Sequence, residues 1–275
     1  MKMREYSSTA TKNRATRLAL MGALSGFVLL SGCATGPNAN PRDPLEPFNR
    51  GVYKFNDAVD RAVLKPVATA YVKVTPSVVR TGVNNFFGNL GDAWSAVNSV
   101  LQLHGQDAAE SIMRFSFNTV FGLGGLLDIA GEAGIPRHKE DFGLTLARWG
   151  MPTGPYLVLP LLGPSDLRDT AALPVDWQGG LIRHVTPTTD RNELYLLQTV
   201  STRANLLGAS SLLEQAALDQ YSFTRDVYLQ YRSKQAGTES GAGTDQSPTP
   251  QNQNVPVFKW NLPNWNLPGF LNFSH

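Results

Sequence analysis

One thiol and four imidazoles carry the most distinctive side-chain chemistry in this chain of 275 residues. The thiol, Cys33, stands directly after Leu30-Ser31-Gly32. A thiol can be alkylated to a thioether, and small residues before it leave a peptidase room to reach the backbone. A single cysteine excludes a disulfide framework and a Cys-rich metal site. His104, His138, His184 and His275 are far apart, and none has a second His at i+3 or i+4 to share a metal. His104-Gly105-Gln106-Asp107 brings a His near an Asp at shorter spacing than a His-x4-Asp acyltransferase motif. It reads as a polar turn between helices. The chain has no Gly-x-Ser-x-Gly elbow, no His-Glu-x-x-His pair and no phosphate loop ending in Gly-Lys-Ser/Thr. No catalytic residue, metal ligand or cofactor is expected.

The segments that must place Cys33 come next. Residues 1–32 hold five basic side chains (Lys2, Arg4, Lys12, Arg14, Arg17) and one acid, Glu5. The run Leu18–Leu30 follows and is apolar. Its thirteen residues span about 20 Å as a helix, short of the ~30 Å hydrocarbon core of a bilayer. A signal-peptide core fits better than a transmembrane helix. Leu30-Ser31-Gly32-Cys33 resembles a bacterial lipobox. That resemblance implies diacylglycerol on Cys33, cleavage before it and acylation of the new amine. Three acyl chains, at about 0.8 kcal/mol per buried methylene, make a stable anchor. Ala34 stands where many inner-membrane lipoproteins carry Asp, which points by resemblance to the outer membrane.

Removing residues 1–32 changes the charge balance. The full chain has 24 Lys+Arg and 22 Asp+Glu, a net +2; residues 33–275 keep 19 and 21, a net −2. A nucleic-acid binder needs a positive surface and is not expected. Hydrophobic residues at 42% exclude a multispanning membrane protein.

Residues 33–47 carry four prolines and read as a lipidated tether. A helical body is expected over 48–234. Phe48, Val52, Phe55, Val59 and Val63 form an amphipathic stripe. Pro66 and Pro76 suit helix first turns, where a missing N–H costs nothing. Further stripes are Val79, Val83, Phe86, Phe87 and Leu90; Trp94, Val97, Val100 and Leu101 behind a possible cap at Asp92; and Ala108, Ile112, Met113, Phe115 and Val120. Residues 117–130 are apolar nearly all round, with Gly122, Gly124 and Gly125; a second such stretch, 144–162, is broken by Gly150, Pro152, Gly154, Pro155 and Pro160. Two readings fit both: a buried core hairpin, or a segment in a bilayer interface or along an apolar passage. Leu194, Leu197, Val200 and Leu206–Leu207 mark one late helix. Leu212, Leu213, Ala216, Ala217, Phe223, Val227 and Tyr231 mark another. Residues 235–254 are expected to be a disordered linker. Residues 255–275, with Trp260-Asn-Leu-Pro263 repeated as Trp265-Asn-Leu-Pro268, suit a membrane interface, a partner groove or a strap over the body.

The body resembles the MlaA/VacJ family of outer-membrane lipoproteins. The resemblance rests on Asp43-Pro44-Leu45-Glu46-Pro47-Phe48-Asn49-Arg50, Phe55-Asn56 and Asp60, then Asn85-Phe86-Phe87, Asn89-Leu90, Val97-Asn98 and Leu101-Gln102. It continues through Arg114-Phe115, Asn118-Thr119, Gly122, Gly125 and Asp128. Its most specific stretch is Asp141-Phe142-Gly143-x-Thr145-Leu146, Trp149-Gly150, Gly154-Pro155-Tyr156, Leu159-Pro160, Gly163-Pro164 and Arg168-Asp169. Asp219-x-Tyr221, Arg225, Tyr228 and Arg232 close it. Leu103 departs from the pattern, since relatives often carry Gly after the Leu-Gln pair.

The resemblance implies an all-α, ring-like body in one leaflet of the outer membrane, on its periplasmic side, around an amphipathic channel. It implies removal of mislocalised phospholipid from the outer leaflet, hand-off to a soluble periplasmic carrier of the MlaC type, and association with trimeric porins. Catalysis is not part of it. A structural envelope lipoprotein that binds porins without moving lipid is the alternative. Candidate channel or membrane-embedded residues are Phe121, Gly122, Gly124, Gly125, Leu126, Leu127, Gly150, Gly154, Pro155, Tyr156, Leu159 and Pro160. Asp128, Arg148, Arg168 and Asp169 are candidates for a polar rim, with salt bridging or helix capping as their other reading.

Overall fold

The computed structural model describes residues 40–237. The signal over 1–32, Cys33, the first part of the tether and the tail over 255–275 lie outside the described residues. So does the expected linker beyond residue 237.

The described residues are all-α apart from one short hairpin. Helix α1 (Glu46–Val59) runs through a π turn (Asp60–Leu64) into α2 (Lys65–Val74). Pro66 explains the π turn. Proline offers no N–H and its ring crowds the carbonyl four residues back, so the wider turn over 60–64 removes the conflict without breaking the helix. Thr75-Pro76 then ends the segment, and α3 (Ser77–Leu101) starts behind Pro76. Helix α3 is continuous for 25 residues. Asp92 therefore does not cap a new helix; it lies buried in the middle of α3.

Leu103 closes α3 with φ +62°, a left-handed turn, while its side chain is 90% exposed. A left-handed turn favours glycine, and here the chain makes it with Leu. Helix α4 (Gly105–Val120) packs back along α3. A short α5 (Ile129–Glu132) and α6 (Phe142–Arg148) follow, capped by Asp128 and Asp141. Strands β1 (Tyr156–Leu159) and β2 (Gly163–Asp166) pair antiparallel, Tyr156 opposite Asp166 and Leu159 opposite Gly163. The second apolar stretch is thus half helix and half hairpin.

Helix α7 (Leu167–Gly179) is capped by Asp166, carries Pro174 inside it and leads through a 3-10 turn (Leu181–His184) to α8 (Thr188–Asn205). The stripe read as one helix from Leu212 to Tyr231 is two, α9 (Leu207–Ala216) and α10 (Gln220–Gln235). Asp219 makes the break by accepting the N–H groups of Tyr221 and Ser222 at the start of α10.

The tether read over 33–47 ends earlier than expected. Asp43 is buried, and the Tyr156 N–H donates to the carbonyl of Arg42, so this part of the chain lies against β1. Contacts between elements close a circuit. They run from α1 and α2 to α8, then α3, α6, α7, β2 and β1, and back to α1.

Candidate functional site

A helix in water turns its apolar stripe inward. Here the paired helices α3 and α4 do the opposite. Along α3 the buried residues are Asn89, Asp92, Ser95, Ala96, Asn98 and Ser99, while Val97, Val100 and Leu101 are exposed. Along α4, Ala108, Ser111, Arg114 and Asn118 are buried at helical spacing, and Ile112, Met113, Phe117 and Val120 face out. Among the described residues eighteen polar or charged side chains are buried against twelve hydrophobic ones. Isolated exposed apolar residues are normal, but a continuous apolar outer face over a polar interior is not.

Much of the polar interior is paired within itself, although Asn89 Oδ1, Ser99 Oγ and Ser111 Oγ are buried without a hydrogen-bond partner. Arg114 Nη2 lies 2.6 Å from Asp128 and its Nε 3.3 Å from Asp92. Asn118 donates to Asp128 and accepts the Ala130 N–H. Thr145 donates to Asn98, and Gln102 donates to Glu140. Burial pushes the Asp92 carboxyl up, against the pull of Arg137 and Arg114. At Asp128 burial acts the same way but is outweighed by hydrogen bonds from Asn118 and Arg114, so its carboxyl is held below the usual range.

The opening signature has a local meaning. Asn49 donates to the Tyr156 carbonyl and accepts the Val158 N–H at 2.9 Å; Asn56 does the same for Leu159 and Leu161. Two asparagines seven residues apart thus hold α1 along β1. Their neighbours Phe48 and Phe55 are exposed. Arg50 pairs with Asp219 at 2.6 Å and Asp60 with Arg203 at 2.6 Å, fixing α1 to α10 and the π turn to α8.

The twelve candidate channel or membrane residues fall in two separate places. Phe121, Leu126 and Leu127 are exposed on the loop from α4 to α5, as is Leu123 between them, outside the candidate set and 71% exposed. Gly124 and Gly125 have positive φ there. A Cβ on Gly122 would strike the carbonyls of Asn118 and Leu127, and one on Gly125 would strike Asn89. Gly150, Gly154 and Pro160 are exposed, Pro155 and Leu159 half-buried. Tyr156 is a correction. It is fully buried in an ordinary apolar core with Val158, Tyr221 and Leu229, so it can face neither lipid nor a passage.

Three of the four polar-rim candidates take their other reading, salt bridging or helix capping. Asp128 caps α5 and pairs with Arg114. Arg168 and Asp169 are interior, 3.1 Å apart, with Asp169 also 2.6 Å from Arg232 and accepting the Tyr228 hydroxyl. Burial works against the Asp169 charge, yet Arg232 holds its carboxyl below the usual range. Its neighbour Asp166 is pushed up to about 6 by burial. Only Arg148 of the four is exposed and, among the described residues, without an ion pair.

The cavities lie elsewhere. One of about 610 Å³ is walled by α3 (Asn84 to Ser95), by 137–141 and by α8 (Gln198 to Asn205). A second, of about 180 Å³, shares Phe87, Gly91, Trp94 and Gln198 with it and adds Leu181 and Ile182. A third, of about 540 Å³, shares Trp177 and Tyr195 with the second. None of the twelve candidates lines any of the three. One group could hold a metal by spacing: Glu110 at 2.6 Å and Asp107 at 3.8 Å from His138 Nε2. An ordinary histidine–carboxylate pair accounts for that geometry.

Comparison with known proteins gives one consistent result. A family profile described as "MlaA lipoprotein" matches residues 41–235. A Rickettsia bellii protein is 35% identical over 191 residues, 69% of this chain and 75% of that one. The Escherichia coli intermembrane phospholipid transport system lipoprotein MlaA is 36% identical over 220 residues, 78% of this chain and 87% of that one. A solved structure described as a structural basis for maintenance of bacterial outer membrane lipid asymmetry is 34% identical, with TM-score 0.63. The match covers 70% of this chain and 98% of that one.

Proposed function

The chain belongs to the MlaA lipoprotein family, and from that premise we propose that it is a phospholipid-transport lipoprotein of the outer membrane rather than an enzyme. Cys33 carries its acyl anchor on the periplasmic side. The body lies in one leaflet, takes mislocalised phospholipid from the outer leaflet through an amphipathic passage and passes it to a soluble periplasmic carrier. Trimeric porins are its neighbours in the membrane.

The observation that carries this reading is the inverted distribution of side chains along α3 and α4. Burying one Val, Leu, Met or Phe is worth roughly 1.5–3 kcal/mol. Leaving Val97, Val100, Leu101, Ile112, Met113, Phe117 and Val120 in water would forgo on the order of 10 kcal/mol, comparable to a domain's whole stability. Acyl chains remove that cost. They also explain the polar interior, because in lipid every polar group must find its partner inside the protein. Among the described residues no helix is long and apolar enough to cross a membrane, which agrees with a body held in one leaflet. Adjoining cavities, one lined by Arg137 and Lys139 as well as Phe87 and Trp94 and two by Trp177 and Tyr195, provide surfaces of both characters for an amphiphile. No covalent step is needed.

Deleting the gene should raise outer-leaflet phospholipid and sensitise cells to detergent, and restoring the wild-type chain but not Cys33→Ser should reverse both. An unchanged outer leaflet in the deletion strain would refute transport. It would leave the structural, porin-associated lipoprotein as the reading.

A further inference from the structure

Within the lipid-passage reading, on which this inference rests, we propose that Arg137, assisted by Lys139, anchors the phosphodiester of the lipid headgroup in the 610 Å³ cavity, with the acyl portion directed along Trp94.

Arg137 is built into position. Its Nε lies 3.1 Å from Asp92 and its Nη2 3.8 Å from Asp128, and both nitrogens are sealed from solvent on that side. The remaining nitrogen, Nη1, lies over Gly88, where a Cβ would come within 2.5 Å of it. A glycine at 88 thus leaves room for the guanidinium against α3, and Gly88 and Arg137 line the cavity together. A guanidinium held by carboxylates through Nε and Nη2 keeps Nη1 as the donor for an oxyanion.

The other charges in the wall narrow the ligand. Asp92 is engaged by Arg114 and Arg137, and Asp141 by Arg232. Lys139 is exposed and has no ion pair among the described residues. Glu140 accepts from Gln102 through one oxygen, and its charge disfavours a doubly negative ligand. The group that fits is a singly charged phosphodiester rather than a phosphate monoester or free phosphate. On the far side Phe87, Trp94, Trp177 and Tyr195 provide an aromatic wall through the adjoining cavities. A cationic end followed by an aromatic wall matches a diacyl phospholipid.

The test uses the purified full-length lipoprotein. It is equilibrated with vesicles containing phosphatidylethanolamine and diacylglycerol with matched acyl chains, then re-isolated, and its bound lipid is measured by mass spectrometry. Wild type should retain phospholipid over diacylglycerol by about tenfold, the worth of one charge-assisted hydrogen bond. Arg137→Lys, which keeps the charge beside Asp92 and so the fold, should lose most of that preference. Lys139→Gln, an exposed change, should lose about threefold by weakening one surface charge contact. Diacylglycerol retention should stay constant in both variants, and excess inorganic phosphate should not displace the phospholipid. Equal retention of the two lipids would overturn the phosphate anchor and leave the lipid passage standing. Displacement by inorganic phosphate would reassign Arg137 and Lys139 to free phosphate. Retention of neither lipid would refute the passage itself.

Discussion

Along α3 and α4 the chain buries Asn89, Asp92, Asn98, Arg114 and Asn118 and exposes Val97, Val100, Ile112 and Val120. Where β1 meets α10 it buries Tyr156, Val158, Tyr221 and Leu229, with Val52, Tyr53 and Tyr228 packed around them. The second region has the apolar cluster that water demands of a small core, although α10 beside it also buries Arg225 and Arg232 and exposes Phe223, Val227 and Tyr231. The first suits a solvent that wets apolar side chains and offers polar groups nothing. One polypeptide thus carries two kinds of interior, and the proposed function assigns the first to the part that meets lipid. The corner with the aqueous-type core is also where ion pairs join distant segments: Arg225 to Asp43, Arg232 to Asp141 and Asp169.

The largest expected effect lies in the polar interior. Arg114→Met strips a buried cation from Asp92 and Asp128. The protein should lose about 3 kcal/mol, read by denaturant titration in detergent, because buried Asp92 keeps only Arg137 and half-buried Asp128 loses its 2.6 Å partner. A loss below about 1 kcal/mol would mean that the polar interior is not what holds these helices together. Next comes the outer face. Leu123→Asp should change detergent-solution stability by less than about 0.5 kcal/mol, since the side chain is exposed. It should nevertheless weaken vesicle binding of an unanchored Cys33→Ser chain by about 3 kcal/mol, roughly a hundredfold. Unchanged vesicle binding would remove the loop after α4 from the lipid-facing surface.

The corner is probed by pH. Folded Asp166 keeps its proton up to about pH 6 because burial disfavours its charge, whereas an unfolded Asp loses it near pH 4. The folded state therefore binds more protons between these values, and stability should fall as pH rises from about 4 to 6. Asp169 has the opposite sign: its lowered pKa favours folding above the unfolded value and loses that contribution only as pH falls further. Asp166→Asn, which can still cap α7, should flatten the slope between pH 4 and 6 in a series of thermal melts. The smallest effect belongs to Leu103→Gly. Relief of a left-handed Leu costs nothing in packing at an exposed side chain, and after the entropy of an added glycine it should gain roughly 0.5 kcal/mol.

The helices and their stripes were legible in the sequence; the direction in which the stripes point was not. A 3.6-residue period shows that two faces differ, and says nothing of which one meets the interior. Phe48 and Phe55 were visible as a periodic pair, but the side chains that hold α1 to β1 are Asn49 and Asn56 beside them. The hairpin at 156–166 was hidden because Tyr156–Leu159 is only four residues long and followed by a proline. Asp169 is visible as a charge, yet two of its partners, Tyr228 and Arg232, lie about sixty residues away. The cavity escaped for the same reason. Its walls come from α3, α8 and the 137–141 segment, and nothing about Arg137 or Lys139 in the linear chain sets them apart. What proximity in sequence could show, it did: Asp43 to Arg50 form a local motif, and the odd residue in the turn after α3 was Leu103.

The central claim is that the outer face of α3 and α4 lies in lipid while the corner at α10 does not. Single spin labels at Val100, Ile112 and Val120, and at Asp226 on α10, test it in vesicle-reconstituted protein through their accessibility to oxygen and to a water-soluble nickel chelate. The account predicts that the first three labels are relaxed by oxygen and shielded from the chelate, with the reverse at Asp226. Equal access of the chelate to all four positions would contradict it.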